Sequence, residues 1–319
     1  MMPQIDHEAV PAGMIDCHLH HGPDAIERKR TAMELAEAAR TTNVGGFVLK
    51  SHHANTGGLA TQVQQLYPAL HVIGAVALNG AVGGLNPTAV RMAGRFGARV
   101  VWMPTTSALN HVTRLAESST MQDLRAGTED EGITILDERG SLLPVVDQLL
   151  EEILIADMSV ATGHLSSEET LKLAEHAHRG GFPMHRFVVT HCDMPFTFLD
   201  DDRQRYVAGL GAFLERVLMI YLSYEKLASP DALQPGTLYT GRSFYMPAHL
   251  DLAGVLDRIR AAGVESSLLS TDLGQAGNPD PIDGIALGCS LLRDTGFTGE
   301  ELRRMAVDAP RRFLGVPCC

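Results

Sequence analysis

The chain has 319 residues, of which 45% are hydrophobic and 20% charged, the composition of a folded globular protein rather than a disordered one. Its formal net charge is −12, with acidic residues spread along the chain, so a phosphate backbone would be repelled and nucleic acid is excluded as an expected partner. The N-terminal residues around Asp6, His7 and Glu8 form no apolar stretch, and no signal peptide is expected.

The first predicted strand is Ile15-Asp16-Cys17-His18-Leu19-His20. Side chains alternate along a strand, so His18 and His20 project to the same side, one rung apart. Two imidazoles held in this way make half of a tetrahedral or trigonal-bipyramidal zinc site. Thr31 to Thr41 follows as an amphipathic helix, with Thr31 as N-cap and Glu34 completing a capping box. Gly46 to Lys50 is the second strand. His52 lies two residues beyond Lys50 and faces the same side, while His53 points away. His71 to Leu78 is the third strand. The uncharged stretch from Val72 to Val90 is interrupted by Gly74, Asn79, Gly80, Gly83, Gly84, Asn86 and Pro87, so it cannot be a spanning helix and no membrane partner is expected.

Ala98 to Met103 is the fourth strand, with Trp102 inside it as a packing residue. The long Ser-, Thr- and Met-rich stretch from Pro104 to Gly127 is expected to lie over the mouth of the fold as a lid. Asp157 to Gly163 is the fifth strand and leads into His164; a capped helix starts at Ser166. Arg186 to Thr190 is the sixth and leads into His191. Val217 to Leu222 is taken as the seventh. Ser267 to Ser270 is the eighth and leads into Asp272.

Buried β runs alternating with helical stretches indicate parallel βαβ units. Eight such units, with metal-competent side chains at corresponding ends, favour an α/β fold of the (β/α)8 TIM-barrel class, whose chemistry sits at the carboxyl ends of the strands. The length exceeds the ~250 residues typical of that fold by enough for extended βα loops. A single domain over residues 1–319 is expected, with the barrel proper at about 14–315. A doubly wound nucleotide-binding sheet would need a G-x-G-x-x-G after its first strand, and none is present. The cysteine count is odd, five, without C-x-x-C spacing, which fits reduced thiols and a cytoplasmic location. If His18 and His191 face the barrel axis, alternation turns Cys17 and Cys192 toward the helical layer as small buried hydrophobes.

Taken together, His18-Leu-His20 ending strand one, His164 ending strand five, His191 ending strand six and Asp272 ending strand eight resemble the amidohydrolase superfamily of metal-dependent hydrolases. Ala309-Pro-Arg-Arg-Phe-Leu-Gly315 is similar to the N-P-A-x-L-L-G segment with which many members close. The resemblance runs from about Met14 to Gly315. It implies a (β/α)8 barrel, one or two divalent ions with Zn²⁺ first and Mn²⁺ or Fe²⁺ as alternatives, and metal ligands His18, His20, His164, His191 and Asp272. It also implies hydrolysis of a C–N or C–O bond of an amide, cyclic amide or lactone by metal-bound hydroxide, with Asp272 as general base and then acid. Decarboxylation or hydration of an unsaturated carboxylic acid on the same fold is the alternative. A ligand-binding protein with a dead site is disfavoured by the intact ligand set.

Binuclear members usually carry a carboxylated lysine or a glutamate at the end of strand four. Here strand four offers neither, and Lys50 at the end of strand two is the nearest substitute. Three readings stay open for it: a carboxylated bridge between two metals, a partner for an anionic substrate group, or a snorkelling lysine. Lys50, His52, Arg242 and Asn278 are the candidate substrate-binding residues, with Asn79, Thr105, His111 and Lys226 as further loop candidates. The expected partner is a small molecule, and the oligomeric state stays open, a homo-oligomer included.

Overall fold

Eight stretches of β-forming residues pair in parallel, each strand beside its neighbour in sequence. The computed structural model describes residues 5–117, 132–224 and 249–317. The strands are β1 (Met14–His20), β2 (Val44–Lys50), β3 (His71–Ala77), β4 (Ala98–Trp102), β5 (Ser159–Ala161), β6 (Phe187–Val189), β7 (Phe213–Val217) and β8 (Ser267–Ser270). Helices alternate with them on the outside, giving the (β/α)8 barrel read from the sequence. Both anticipated capping boxes form, Thr31 with Glu34 and Ser166 with Glu169. Among the described residues, no helix is long and apolar enough to cross a membrane.

Two apolar shells hold the barrel. Phe47, Leu49 and Val72 face outward and pack with Leu35, Ala36 and Val63 of the helices Ala32–Ala39 and Gly57–Leu66. Val48, Ile73, Val100, Trp102 and Leu268 face inward, and Phe313 and Leu314 from the helix Ala309–Leu314 join them. That alternation of Phe47, Val48 and Leu49 is the period of two expected of a strand. Gly46 is required where β2 meets β3, because a Cβ there would sit 2.3 Å from the His71 carbonyl oxygen.

Two expectations are corrected. Cys17 does not face the helical layer; it belongs to the inner shell with Ile15 and Val48. The β1–β2 register shifts between Asp16 and Leu19, so strict alternation fails there and both Cys17 and His18 turn inward. Cys192 does lie on the outer side, with Leu199 and Leu214. The seventh strand is Phe213–Val217, and Leu218–Tyr224, which covers most of the anticipated strand, is a helix. The lid stretch begins with a helix at Leu109–Glu117, and its residues 118–127 lie outside the described residues.

Candidate metal centre

Three ligand atoms converge at the carboxyl end of the barrel. His18 and His20 project inward from β1, and Asp272 follows β8 by two residues, at φ 54°, with its N–H donating to the His18 carbonyl at 2.7 Å. Asp272 Oδ1 lies 3.1 Å from His18 Nε2 and 3.1 Å from His20 Nε2. All three residues are buried, and their ligand atoms lie within 4.8 Å of one another.

A residue the sequence reading missed holds this group in place. Glu215, on β7, accepts from His18 Nδ1 at 3.0 Å through Oε1 and from the His191 backbone N–H at 2.8 Å through Oε2. A carboxylate on Nδ1 fixes the tautomer that leaves the Nε2 lone pair directed at the cluster.

Lys50 is the register partner of His20 and is buried, which removes the reading of a snorkelling lysine. Its Nζ lies 2.6 Å from His18 Nε2 and 5.2 Å from the centre of the Trp102 ring, so Trp102 forms the floor beneath it. His164 and His191 complete the far wall, their rings 5.0 Å apart. Their Nδ1 atoms face outward: His164 Nδ1 lies 2.8 Å from His111 Nδ1, and His191 Nδ1 lies 3.0 Å from Thr197 Oγ1. The Nε2 atom of each is thereby left for the cleft. His52 sits beside His20, ring centres 4.9 Å apart, and its Nδ1 is 2.8 Å from Thr105 Oγ1. Asn79 fixes that pair by donating to Thr105 Oγ1 and to the His52 carbonyl.

Electrostatics suit a cation. Burial holds His20, His52 and His164 well below the usual histidine range and pushes His111 and His191 down to about 3, so burial favours the neutral imidazole in each. At His18, burial and Lys50 oppose a charge, but the Asp272 and Glu215 carboxylates outweigh them and raise it to about 9. Burial pushes the Lys50 amine down to about 8. Asp272 is held well below the carboxylate range, because His18 and His20 outweigh its burial. A buried carboxylate pair that drives an imidazole toward a positive charge asks for a cation, and two imidazole nitrogens with a carboxylate oxygen are a donor set that fits a divalent one. The buried His20 Nδ1, which has no hydrogen-bond partner among the described residues, is consistent with a ring held by its other nitrogen.

The cleft over this centre is lined by His20, Arg28, Lys50, His52, His164, His191, Met194, Phe196, Asp272 and Gln275. Asn278 stands behind the lining, donating to Gln275 Oε1. Arg242 and Lys226 lie outside the described residues.

The fold is the (β/α)8 barrel that the sequence resemblance implies. By sequence the chain belongs to the family of unknown function DUF6282, which matches residues 13–215. That span takes in β1 through Glu215 and ends before Asp272. No curated protein matches the sequence. Solved structures share the fold at low identity. An amidohydrolase from Pseudomonas aeruginosa is 10% identical with a TM-score of 0.59, over 97% of this chain and 98% of that one. An organophosphorus hydrolase from Deinococcus radiodurans is 14% identical with a TM-score of 0.55, over 96% and 94% of the two chains.

Proposed function

We propose that the protein is a metal-dependent hydrolase that cleaves a C–N or C–O bond in a small amide, cyclic amide or lactone. The observation that carries this reading is the convergence of His18 Nε2, His20 Nε2 and Asp272 Oδ1 at the mouth of the barrel. His18, His20 and Asp272 would hold one divalent ion, with Zn²⁺ the first candidate and Mn²⁺ or Fe²⁺ the alternatives. His164 and His191 would hold a second. The cation supplies Lewis acidity, which polarises a carbonyl and lowers the pKa of water.

The remaining chemistry belongs to the chain. Asp272 takes the proton of the attacking water and passes it to the leaving group, acting as base and then acid. Glu215 keeps the His18 ring oriented throughout. Lys50 reaches the centre from β2, where burial lowers the pKa of its amine and so favours the neutral form. A neutral amine adds CO₂ and loses a proton to give a carbamate, and a carbamate on Lys50 would bridge two ions. Met194 and Phe196 present apolar surface to the cleft and limit water there. The buried free thiols of Cys17, Cys192 and Cys289 support the expected cytoplasmic location.

A second reading, decarboxylation or hydration of an unsaturated acid, draws support from the cationic groups Arg28 and Lys50 in the cleft. A panel of amides, cyclic amides, lactones and unsaturated acids, scored for hydrolysis and for CO₂ release before and after chelation, separates the two. Chelator-sensitive hydrolysis with metal bound at one or two equivalents is expected. Active protein holding under about a tenth of an equivalent of any divalent metal would overturn the metal-dependent reading.

A further inference from the structure

Arg28 stands in the cleft but belongs to none of the ligand pairs described above. It lies on the loop between β1 and the helix Ala32–Ala39, and that loop is stitched to the loop after β8. Lys29 N–H donates to the Gly274 carbonyl at 2.9 Å, and Arg28 pairs with Gln275 in an isolated antiparallel bridge. The closeness of the two loops is enforced at Gly274, whose φ is 125° and where a Cβ would lie 2.0 Å from the His20 carbonyl oxygen.

The guanidinium is held from one side. Arg28 Nε donates to Asp24 Oδ2 at 2.8 Å, and Nη2 lies 2.7 Å from the same oxygen. Asp24 is itself fixed by the second loop of the barrel mouth: its Oδ1 lies 3.2 Å from His53 Nδ1 and accepts from Ser51 Oγ at 3.3 Å. The side chains of Arg28 and Asp24 are 3% and 1% exposed, so this is a built pair and not a surface contact.

The pair leaves the guanidinium under-used. Of five N–H donors, Nε–H makes the one hydrogen bond among the described residues, and the buried Nη2 makes none of good geometry despite its closeness to Asp24. A buried Nη2 without a well-aligned hydrogen bond is costly, and a ligand oxygen in the cleft would lower that cost. Arg28 lines the cleft, and a guanidinium presents its donors in a planar fork that matches the two oxygens of a carboxylate.

We propose that Arg28 receives a carboxylate of the substrate, so that the enzyme's substrates are small amides or lactones carrying a carboxylate near the scissile carbonyl. The inference rests on the hydrolase reading for the carbonyl half of the substrate, while the carboxylate half depends on Arg28 alone. Asp24 is then a positioning residue that holds the fork, and Gln275 lines the cleft on the other side of the bridge.

The test uses purified, metal-replete protein and a probe that cannot be hydrolysed. Levulinate carries a ketone and a carboxylate, and the matching neutral keto-alcohol lacks the charge. Calorimetric titration of wild type should show levulinate binding at least ~10-fold tighter than the keto-alcohol. Arg28→Gln should lose at least ~10-fold for levulinate and leave the keto-alcohol and the metal content unchanged. Arg28→Lys, which keeps the charge but not the fork, should recover part of the loss. Equal binding of the two probes to wild type, or undiminished levulinate binding in Arg28→Gln, would overturn the proposal. So would inorganic phosphate binding more tightly than levulinate with the same dependence on Arg28, since that would make the substrate a phosphoryl compound. Should Arg28→Gln fail to fold, the wild-type preference and Arg28→Lys decide by the same criteria. Metal-replete protein that prefers levulinate through Arg28 but hydrolyses no amide or lactone bearing a carboxylate would refute the hydrolase reading and leave the carboxylate site standing.

Discussion

Replacing Glu215 by glutamine keeps the side chain's shape and removes its charge. In the native protein its two oxygens serve two donors, His18 Nδ1 at 3.0 Å and the His191 N–H at 2.8 Å. Glutamine has one acceptor oxygen for those two donors, so one of them loses its partner inside a buried site. A hydrogen bond to a charged group contributes ~1.5–3 kcal/mol, which is roughly 10- to 150-fold in an equilibrium constant. Mutations of groups that orient metal-ligating histidines cost about 10–100-fold in metal affinity, so the two routes agree. Competitive titration with a chromophoric chelator should therefore give a Kd for the first divalent ion raised by about 10–100-fold. A cooperative thermal melt would confirm that the variant folds. Metal affinity within about twofold of wild type in a folded Glu215→Gln would refute the argument that this carboxylate orients His18 for a cation.

Asp272→Asn should retain the fold and cut kcat by at least ~10²-fold, because the amide cannot accept a proton; near-normal turnover would send the search for the base to His52. Lys50→Ala should lower the bound metal from about two ions to about one or none, with short carboxylic acids restoring part, as read by elemental analysis. Unchanged metal with a raised KM would instead make Lys50 a substrate-carboxylate partner. Gly46→Ala should destabilise the barrel by ~1–3 kcal/mol or more, since the new Cβ would sit 2.3 Å from the His71 carbonyl oxygen. Urea denaturation with an unchanged midpoint would contradict that packing.

The strands that were legible are those whose two faces are both apolar. β2, β3, β4 and β8 read as unbroken β-forming runs because one face meets helices and the other the barrel core. β7 broke the rule. Its sequence, Phe-Leu-Glu-Arg-Val, carries two buried charges: Glu215 points into the site, and Arg216 points out to a 2.8 Å ion pair with Asp193. The more apolar Leu218 to Leu222 nearby drew the assignment, although it is helical. Glu215 went unrecognised with the strand that carries it. The turn signal Gly209-Leu-Gly211 just before Phe213 would have placed the strand correctly. His18, His20 and Asp272, whose ligand atoms converge, were legible because each ends or follows a strand. Arg28 was not, since a loop side chain is placed by long-range contacts to Gly274 and Asp24 that no local pattern announces.

The joint between β8 and β1 is built unlike the other seven. Among the described residues no strand ladder spans it; instead, two backbone bonds past the end of β8 cross it, Asp272 N–H to the His18 carbonyl and His20 N–H to the Leu273 carbonyl. Below them the Asp16 carboxylate accepts from the Thr271 N–H and hydroxyl and from the His18 N–H. A buried side chain thus does the zipping that amides do elsewhere around the cylinder. His18 and His20 stand on one lip of this joint and Asp272 on the other, so an ion shared among them would act as a rivet through the seam. Closure of the cylinder and assembly of the reactive centre are then one event, and any breathing of the barrel at this joint pulls the donor atoms apart.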